Sequence, residues 1–326
     1  VFSVIISLSH ILIKDIFHSV SSEEVLLKNA ENLSLKKEEQ LKMFLKNSKT
    51  ILSATRDSKI FNNFLSSNNN KYEKSELEDL FLTLMSSDNN LMQFRYIDEN
   101  GQEIIKVERK SRSDKVQILP ESLLQNKSNK YYFNESKYTS KNQVWFSRLE
   151  LNMENGEIEL PFKPTIRAVL PTYVNDKFKG IIIINYFMDN LIEELAQEPM
   201  FKITLADDLG FIIRSHDKSK NWGFYKEYKY NIGSEYKEEY KNILANDLYT
   251  SENVLSKRLK LDLFEDLFMV FEVNEKALEE QKTSQMIQEI YLTLILLVFS
   301  LILSFIIIKI FGRLFLSLNE QKNILD

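Results

Sequence analysis

The distribution of apolar residues separates two apolar ends from a long amphipathic middle. Residues 290–308 read IYLTLILLVFSLILSFIII, nineteen residues without a charge, Gly or Pro. At 1.5 Å per residue, a helix of this length covers roughly the 30 Å hydrocarbon core of a bilayer. We therefore predict a transmembrane helix at residues 290–308. The chain between the two apolar ends is polar enough to form a water-soluble region.

A second apolar run occupies residues 1–13 and allows two interpretations. Its length matches the apolar region of a secretory signal peptide. No small-residue cleavage site follows it, however, because Lys14 and Asp15 come next. We therefore expect residues 1–17 to be the final part of a first transmembrane helix whose beginning precedes this sequence.

Helical periodicity marks both flanks of the soluble region. Apolar residues recur at helical spacing over residues 22–64 and predict a long amphipathic stalk helix within residues 18–70. Ser75 and Glu78 form a capping-box pattern, which predicts the start of a second helix. Residues 274–311 contain neither Gly nor Pro. One helix can therefore leave the soluble region through residues 274–289, cross the membrane and continue into residues 309–326.

Alternation with period two replaces the helical pattern after residue 93 and predicts two sheet-containing lobes. The first, residues 71–198, contains a hairpin turning at Asn100-Gly101 and later strands at 145–151, 165–174 and 180–187. The second, residues 199–273, contains a hairpin at 201–214, a helix carrying Tyr236, Tyr240 and Leu244, and strands at 259–264 and 267–273. The expected fold class is α+β, with a long N-terminal helix alongside two stacked antiparallel-sheet lobes, bracketed by two transmembrane helices.

Composition argues against several classes of function. A net charge of −5 is unlike the basic face of a nucleic-acid-binding protein. The chain has no Cys and only three scattered His residues, so we expect neither a thiol-based site nor a zinc site. The motifs GxSxG, HExxH, GxGxxG and the P-loop do not occur. We therefore expect no cofactor and no enzyme activity in this chain.

The charges beside residues 290–308 predict an orientation. Lys309 and Arg313 follow this apolar run directly, whereas acidic and basic residues are mixed on its other side. The positive-inside tendency then places the C-terminus in the cytoplasm and residues 14–289 outside it.

Several blocks of sequence, taken in order, resemble the double Cache sensor domains of bacterial transmembrane receptors. They are FRYIDENGQE at 94–103, LQNKS at 124–128, YYF at 131–133, FSRLELN at 146–152, the Pro-flanked loop at 161–164 with Ile166-Arg167, GIIIIN at 180–185, DLGF at 208–211 with HD at 216–217, and WGF at 222–224. The resemblance covers roughly residues 20–290. It implies a periplasmic module of two PAS-like lobes, anchored in the bacterial inner membrane. Its relatives sit on histidine kinases, diguanylate cyclases or chemoreceptors and bind small molecules in the distal lobe.

Five residues are candidates for contact with a small-molecule ligand. On the strand at 165–174, alternate positions carry Arg167 and Tyr173, and Trp145 and Arg148 lie on a neighbouring strand. Asn185 interrupts an apolar run, and a buried amide needs hydrogen-bond partners. If Arg167 and Arg148 converge, they can hold a carboxylate with two hydrogen bonds each. The alternative is that Arg167 pairs with an internal acid or faces solvent, and that Asn185 only secures a loop.

The class of ligand follows from a departure from the family pattern. Amino-acid-binding members are expected to place an Asp on the strand equivalent to residues 180–187, where it meets the ligand's ammonium group. Here that position corresponds to Asn185, whose amide carries no negative charge. A carboxylate or another small polar metabolite is therefore the expected ligand.

Three functions compete at this point. The first is a ligand-sensing and signalling region that passes a conformational shift through residues 274–308 to a cytoplasmic output domain. We expect this output domain to be a histidine kinase or diguanylate cyclase that follows residue 326. The second is a membrane-anchored enzyme, and the third is a structural or adhesive protein. The unbroken helix over 274–311 favours the first, because an anchored enzyme tolerates a flexible linker. We expect a homodimer formed by parallel stalk helices.

Overall fold

The computed structural model describes residues 22–67, 70–154 and 156–325. The predicted first membrane segment, residues 1–17, lies outside the described residues. The chain forms two compact units. One comprises Ala30–Glu198 and Lys202–Glu272 and holds both large sheets. The other comprises the described parts of Val1–Asn29, Pro199–Phe201 and Val273–Asp326.

The N-terminal region consists of three helices: α1 (Ser22–Asp57), α2 (Lys59–Ser66) and α3 (Lys71–Ser87). The prediction of one unbroken stalk helix is wrong at Ser58, which has extended backbone angles and whose side chain accepts the Phe61 N–H. That hydroxyl caps α2 and so begins a new helix. The predicted start of the next helix at Ser75 is also wrong, because Asn70 caps α3 by accepting the Tyr72 N–H.

The distal lobe contains a seven-stranded sheet ordered β3-β2-β1-β9-β8-β4, with β5 also paired to β8. All its recorded strand pairs are antiparallel. The strands are β1 (Leu91–Asp98), β2 (Glu103–Glu108), β3 (Gln117–Ile118), β4 (Trp145–Phe146), β5 (Glu150–Leu151), β8 (Pro164–Val174) and β9 (Lys177–Phe187). The predicted strand at 145–151 is therefore two short ones. A separate hairpin joins β6 (Met153–Glu154) to β7 (Glu157–Ile158).

Aromatic side chains attach the helices to one side of the distal sheet. Phe81 of α3 stacks on Phe94 of β1, with ring centroids 4.0 Å apart. Two rings from α2, Phe61 and Phe64, pack edge-on against Tyr96 at 5.6 and 5.3 Å. Because successive strand residues point to opposite sides of a sheet, the odd-numbered residues of β1 face away from these helices.

The first hairpin turns by a different arrangement from the predicted Asn-Gly pair of positive φ angles. Among residues 98–102 only Gly101 has a positive φ, of 83°. The Asp98 side chain accepts the N–H groups of Asn100 and Gln102 at 2.9 and 2.8 Å. An Asp carboxylate that bonds the backbone ahead of it therefore holds the turn.

The proximal lobe contains a five-stranded sheet ordered β11-β10-β14-β13-β12. Its strands are β10 (Phe201–Asp207), β11 (Ile212–Arg214), β12 (Leu248–Thr250), β13 (Val254–Leu259) and β14 (Leu267–Val273). The predicted strand at 259–264 is wrong: residues 260–266 form the connection between β13 and β14. Three further α-helices lie before residue 274 in the described part of the chain. They are α4 (Tyr131–Ser136) in the distal lobe, α5 (Asp189–Ala196) and α6 (Tyr240–Ala245).

The last helix, α7 (Glu275–Leu325), is continuous. Its segment Glu275–Leu318 contains an 18-residue window with a mean hydropathy of 3.0, and none of that window is buried in the structure. By length and composition α7 is a candidate membrane span, and it includes the predicted residues 290–308.

Candidate functional site

The side of the distal sheet that faces away from α2 and α3 is polar at one end and apolar at the other. Strand register places Asn185 opposite both Gln93 and Arg167, so these three side chains form a polar row across β1, β9 and β8. Further along, Ile97, Ile181, Ile183 and Val169 form an apolar cluster with Tyr132 and Phe133. Helix α4, which the sequence pattern did not predict, supplies these two rings as a cover.

Arg95 is the central cation of the polar end. Its side chain is 3% exposed, and its Nη1 donates to Glu103 Oε1 at 3.2 Å. Its Nη2 donates to Asn185 Oδ1 at 2.7 Å. The third nitrogen, Nε, is buried and has no hydrogen-bond partner among the described residues. A buried donor without a partner is costly, so this atom is available to an added acceptor.

Arg167 is paired with an internal acid. Its Nη1 lies against Glu150 Oε1, and its Nη2 donates to Asn152 Oδ1 at 3.1 Å. The Tyr131 hydroxyl donates to the same Glu150 oxygen at 3.0 Å. Tyr132 lies between the two arginines, with its ring centroid 5.8 Å from Arg95 Cζ and 5.4 Å from Arg167 Cζ, both within cation–π range.

Two buried lysines complete the polar end. Lys106 Nζ lies 2.9 Å from Glu108 and 3.6 Å from Glu154. Lys127 donates to Gln125 Oε1 at 2.6 Å, and no carboxylate among the described residues lies within ion-pair distance of it. Burial and the positive charge of Arg95 lower the pKa of Lys127. Lys127 is thus a buried cation close to Arg95 and without an acid of its own.

Of the five residues predicted from sequence, the structure brings Arg167 and Asn185 together as a register pair, with Trp145 opposite Val169 one row along. Arg148 lies between β4 and β5 with a side chain 45% exposed. Its Nε is 3.1 Å from Glu150 Oε2. Arg148 and Arg167 therefore both contact the internal carboxylate of Glu150, which corresponds to the alternative in which Arg167 pairs with an internal acid.

Tyr173 lies away from this polar end. It is six residues beyond Arg167 on β8, which corresponds to roughly 20 Å of extended strand. Its ring packs edge-on against Phe178 at 5.9 Å. Tyr173 also lines a surface groove together with Asp57 and Asp176.

Sequence reasoning missed Arg95, Glu103, Lys106 and Lys127. One signal was available for two of them. Arg95 sits between Phe94 and Tyr96, and Lys106 between Ile105 and Val107, so each is a single cation inside an apolar strand. The antiparallel pairing of β1 with β2 places Arg95 opposite Lys106. Two facing cations on a buried sheet surface indicate a site that requires negative charge.

Taken together, these features define a two-lobed α+β protein with a buried charged cluster beneath the two aromatic rings of α4. Comparison with protein families identifies the class of this protein. The model of the bacterial histidine kinase sensor domain matches residues 15–252. The match covers more than half of the chain, so the chain belongs to this family of bacterial histidine kinase sensor domains. No curated protein matches the chain.

Solved structures share the fold of this chain. The extracellular domain of a protein described as a histidine kinase aligns with a TM-score of 0.70 and 21% identity, covering 80% of this chain and 95% of its own. A domain of a sensory box/GGDEF family protein from Vibrio parahaemolyticus aligns at 0.69 and 21%, covering 78% and 98%. The sensory domain of the Campylobacter jejuni chemoreceptor Tlp3 with isoleucine bound aligns at 0.53 and 14%, covering 78% and 95%. At these identities the likeness shows the fold alone.

Proposed function

We propose that the distal lobe binds a small polar ligand carrying an anionic group, such as a carboxylate, between the polar end of its sheet and α4. The observation that supports this is the buried Nε of Arg95, which has no partner among the described residues. The nearby cation Lys127 forms no ion pair with an acid among the described residues. One ligand carboxylate can satisfy both groups with charge-assisted hydrogen bonds.

The acids of the site explain why an α-amino acid fits less well. Glu103 is engaged by Arg95, Glu150 by Arg167 and Arg148, and Glu108 by Lys106. An ammonium group would therefore have to compete with an internal cation for each of these carboxylates. Asn185 supplies no charge at the position where amino-acid-binding members of the resembled family are expected to carry an Asp. The C. jejuni chemoreceptor was solved with isoleucine, and its ligand class does not carry over at 14% identity.

A binding screen tests this proposal. The full chain in lipid nanodiscs is titrated with mono- and dicarboxylic acids and with amino acids by calorimetry. Lys127→Met should weaken binding of the organic acid by about tenfold or more, as expected for loss of one charge-assisted contact. Lys115→Met is the matched control, because Lys115 is an exposed lysine in the connection between β2 and β3 of the same lobe. Tight binding of amino acids without binding of organic acids would refute the proposed ligand class.

We further propose that the protein lies in the inner membrane with its C-terminus in the cytoplasm, and that α7 carries the ligand signal to a cytoplasmic output domain. The support is chain continuity: β14 ends at Val273, and α7 begins at Glu275 without a break until Leu325. Inserting two Gly residues after Val273 should abolish the ligand response of a fused kinase or cyclase reporter while leaving ligand affinity unchanged. An unaltered response would count against transmission through α7.

The proposed homodimer can be tested because the chain has no Cys. Leu35 and Met43 are apolar residues of α1 that are 51% and 47% exposed. If two copies of α1 pack in parallel, a single Leu35→Cys or Met43→Cys substitution should give a disulfide-linked dimer in membranes. Gln40→Cys is the control, because Gln40 is an exposed polar residue of the same helix that lies roughly 100° around the helix from the direction midway between Leu35 and Met43. Equal cross-linking at all three positions would argue against a specific interface.

A further inference from the structure

A cavity of about 110 Å³ lies at the junction of the distal and proximal lobes, next to the polar cluster described above. Its distal wall is formed by Arg148 and Glu150, and its proximal wall includes Asp207, Trp222 and Glu265. All of these residues belong to one compact unit. The cavity shares Arg148 and Glu150 with the polar cluster of the distal lobe, whereas Arg95 and Lys127 do not line it.

Aromatic rings form much of the proximal wall. Trp222 is 8% exposed, and its ring centroid lies 6.4 Å from that of Tyr225. Phe224 packs edge-on against Tyr225 at 5.2 Å and against Phe211 at 5.4 Å. The faces of such rings carry negative charge density, so they attract cations more than anions.

The charges around the cavity leave one carboxylate without a counter-charge. Three carboxylates line it, those of Glu150, Asp207 and Glu265, and Arg148 is the one cation among the described lining residues. Glu150 is also paired with Arg167, which does not line the cavity. Arg148 is already shared by the acids on both lobes, at 3.1 Å from Glu150 and 3.2 Å from Glu265. Asp207 has no ion-pair partner in the part of the chain that the structure describes.

Asp207 keeps one oxygen for a ligand. Its Oδ1 accepts the backbone N–H groups of Leu209 and Phe211 at 3.1 and 2.7 Å. Its Oδ2 makes no hydrogen bond to a described residue. Burial, together with the charges of Asp208 and Glu265, raises the pKa of Asp207 to about 6. A partly buried carboxylate that repels its neighbours gains most from a cation placed beside it.

We infer that the cavity between the lobes is a second ligand site, which takes a small organic cation such as a primary alkylammonium ion. The ammonium group donates to Asp207 Oδ2, and the alkyl part lies against Trp222 and Phe224. The volume limits the size of the ligand. An apolar cavity of about 150 Å³ holds benzene, so one of 110 Å³ suits roughly four to six non-hydrogen atoms.

The test uses a cation and a neutral molecule of the same shape. The full chain in nanodiscs is titrated by calorimetry with tert-butylammonium chloride, with tert-butanol, and with sodium chloride as the ionic-strength control. We expect saturable binding of the ammonium ion alone. Asp207→Asn should weaken it by about tenfold or more, whereas Lys127→Met should leave it unchanged, because Lys127 belongs to the distal-lobe site.

Asp98→Asn is the matched control for turn stability. Asp98 holds the first distal hairpin through the same two kinds of backbone hydrogen bond, but it does not line the cavity. The Asp98→Asn variant should therefore leave the affinity for the ammonium ion unchanged. Three results would each overturn the inference: equal binding of tert-butanol, equal loss in the Asp98 and Asp207 variants, or no saturable binding below about 10 mM.

Discussion

Replacing Glu103 with Gln tests whether the charged cluster of the distal lobe is as buried as the structure shows. The side chains of Arg95 and Glu103 are 3% and 0% exposed. Glu103 also accepts the Gln125 N–H through Oε2 at 3.0 Å. Gln keeps the shape of the side chain, but it leaves the Arg95 charge without its counter-charge and replaces one acceptor oxygen with a donor.

The expected cost follows from this geometry. Removing one partner of a buried ion pair costs about 3–5 kcal/mol. Arg95 keeps its hydrogen bond to Asn185 at 2.7 Å, so we expect the lower end, about 3 kcal/mol. For a folding unit of roughly 150–250 residues, this corresponds to a fall in Tm of about 6–12 °C.

The assay is thermal unfolding of the full chain in detergent, followed by circular dichroism. Glu99→Gln is the matched control, because Glu99 pairs with Lys179 at 3.2 Å on the surface of the same hairpin, with side chains 42% and 38% exposed. An exposed pair contributes less than about 1 kcal/mol. If both variants lower Tm by the same few degrees, the Arg95 charge is not held in a low-dielectric environment, and the reasoning about the site fails.

Three further variants test other features of the fold. Gly180→Ala should destabilise the chain by more than about 3 kcal/mol and abolish the native thermal transition, because the alanine Cβ would collide with the Ile97 carbonyl. Gly156→Ala is the control: this residue also has a positive φ but lies in open space, so the substitution should cost only about 1–2 kcal/mol. Ser58→Ala removes the cap of α2 and should cost about 1 kcal/mol in urea unfolding; no change would mean that the hydroxyl does not begin this helix. Because the pKa of Asp207 is raised from 3.8 to about 6, its protonated form stabilises the fold at low pH, and this contribution is lost as pH rises through 6. The Tm of the wild type relative to Asp207→Asn should therefore fall between pH 4 and 7, and a constant difference would contradict the raised pKa.

The candidate site was only partly predictable, and the reason lies in how its residues meet. Arg167 and Asn185 could be found because each is a polar residue inside an apolar strand, and they are direct register neighbours. Their partners could not be found in this way. Glu150 reaches Arg167 across β5 and β8, and Asn185 meets Arg95 across 90 positions of chain. No local pattern encodes such distances.

Errors in the secondary structure have a similar origin. Helical periodicity continued through Ser58, and only the orientation of one hydroxyl toward the Phe61 N–H reveals the break between α1 and α2. The residues after Leu259 have the apolar content of a strand. They instead form a connection whose Phe264 packs against Tyr131 and Trp145 of the distal lobe, at 5.9 and 5.8 Å. Ring contacts with a distant element, and not strand pairing, account for Phe264 in this segment.

Features that depend on local spacing could be read from the sequence: the apolar length of α7, the amphipathic stalk, the strand pairs and the absence of the catalytic motifs sought. Periodicity is a property of neighbouring residues, so it survives without knowledge of the fold. The identity of each charged residue's partner is different. Whether Arg167 or Arg148 is free for a ligand depends on where Glu150 lies, and the packing of strands and lobes sets that position. Long-range contacts decide which charges remain unpaired, and unpaired buried charges mark the two proposed sites.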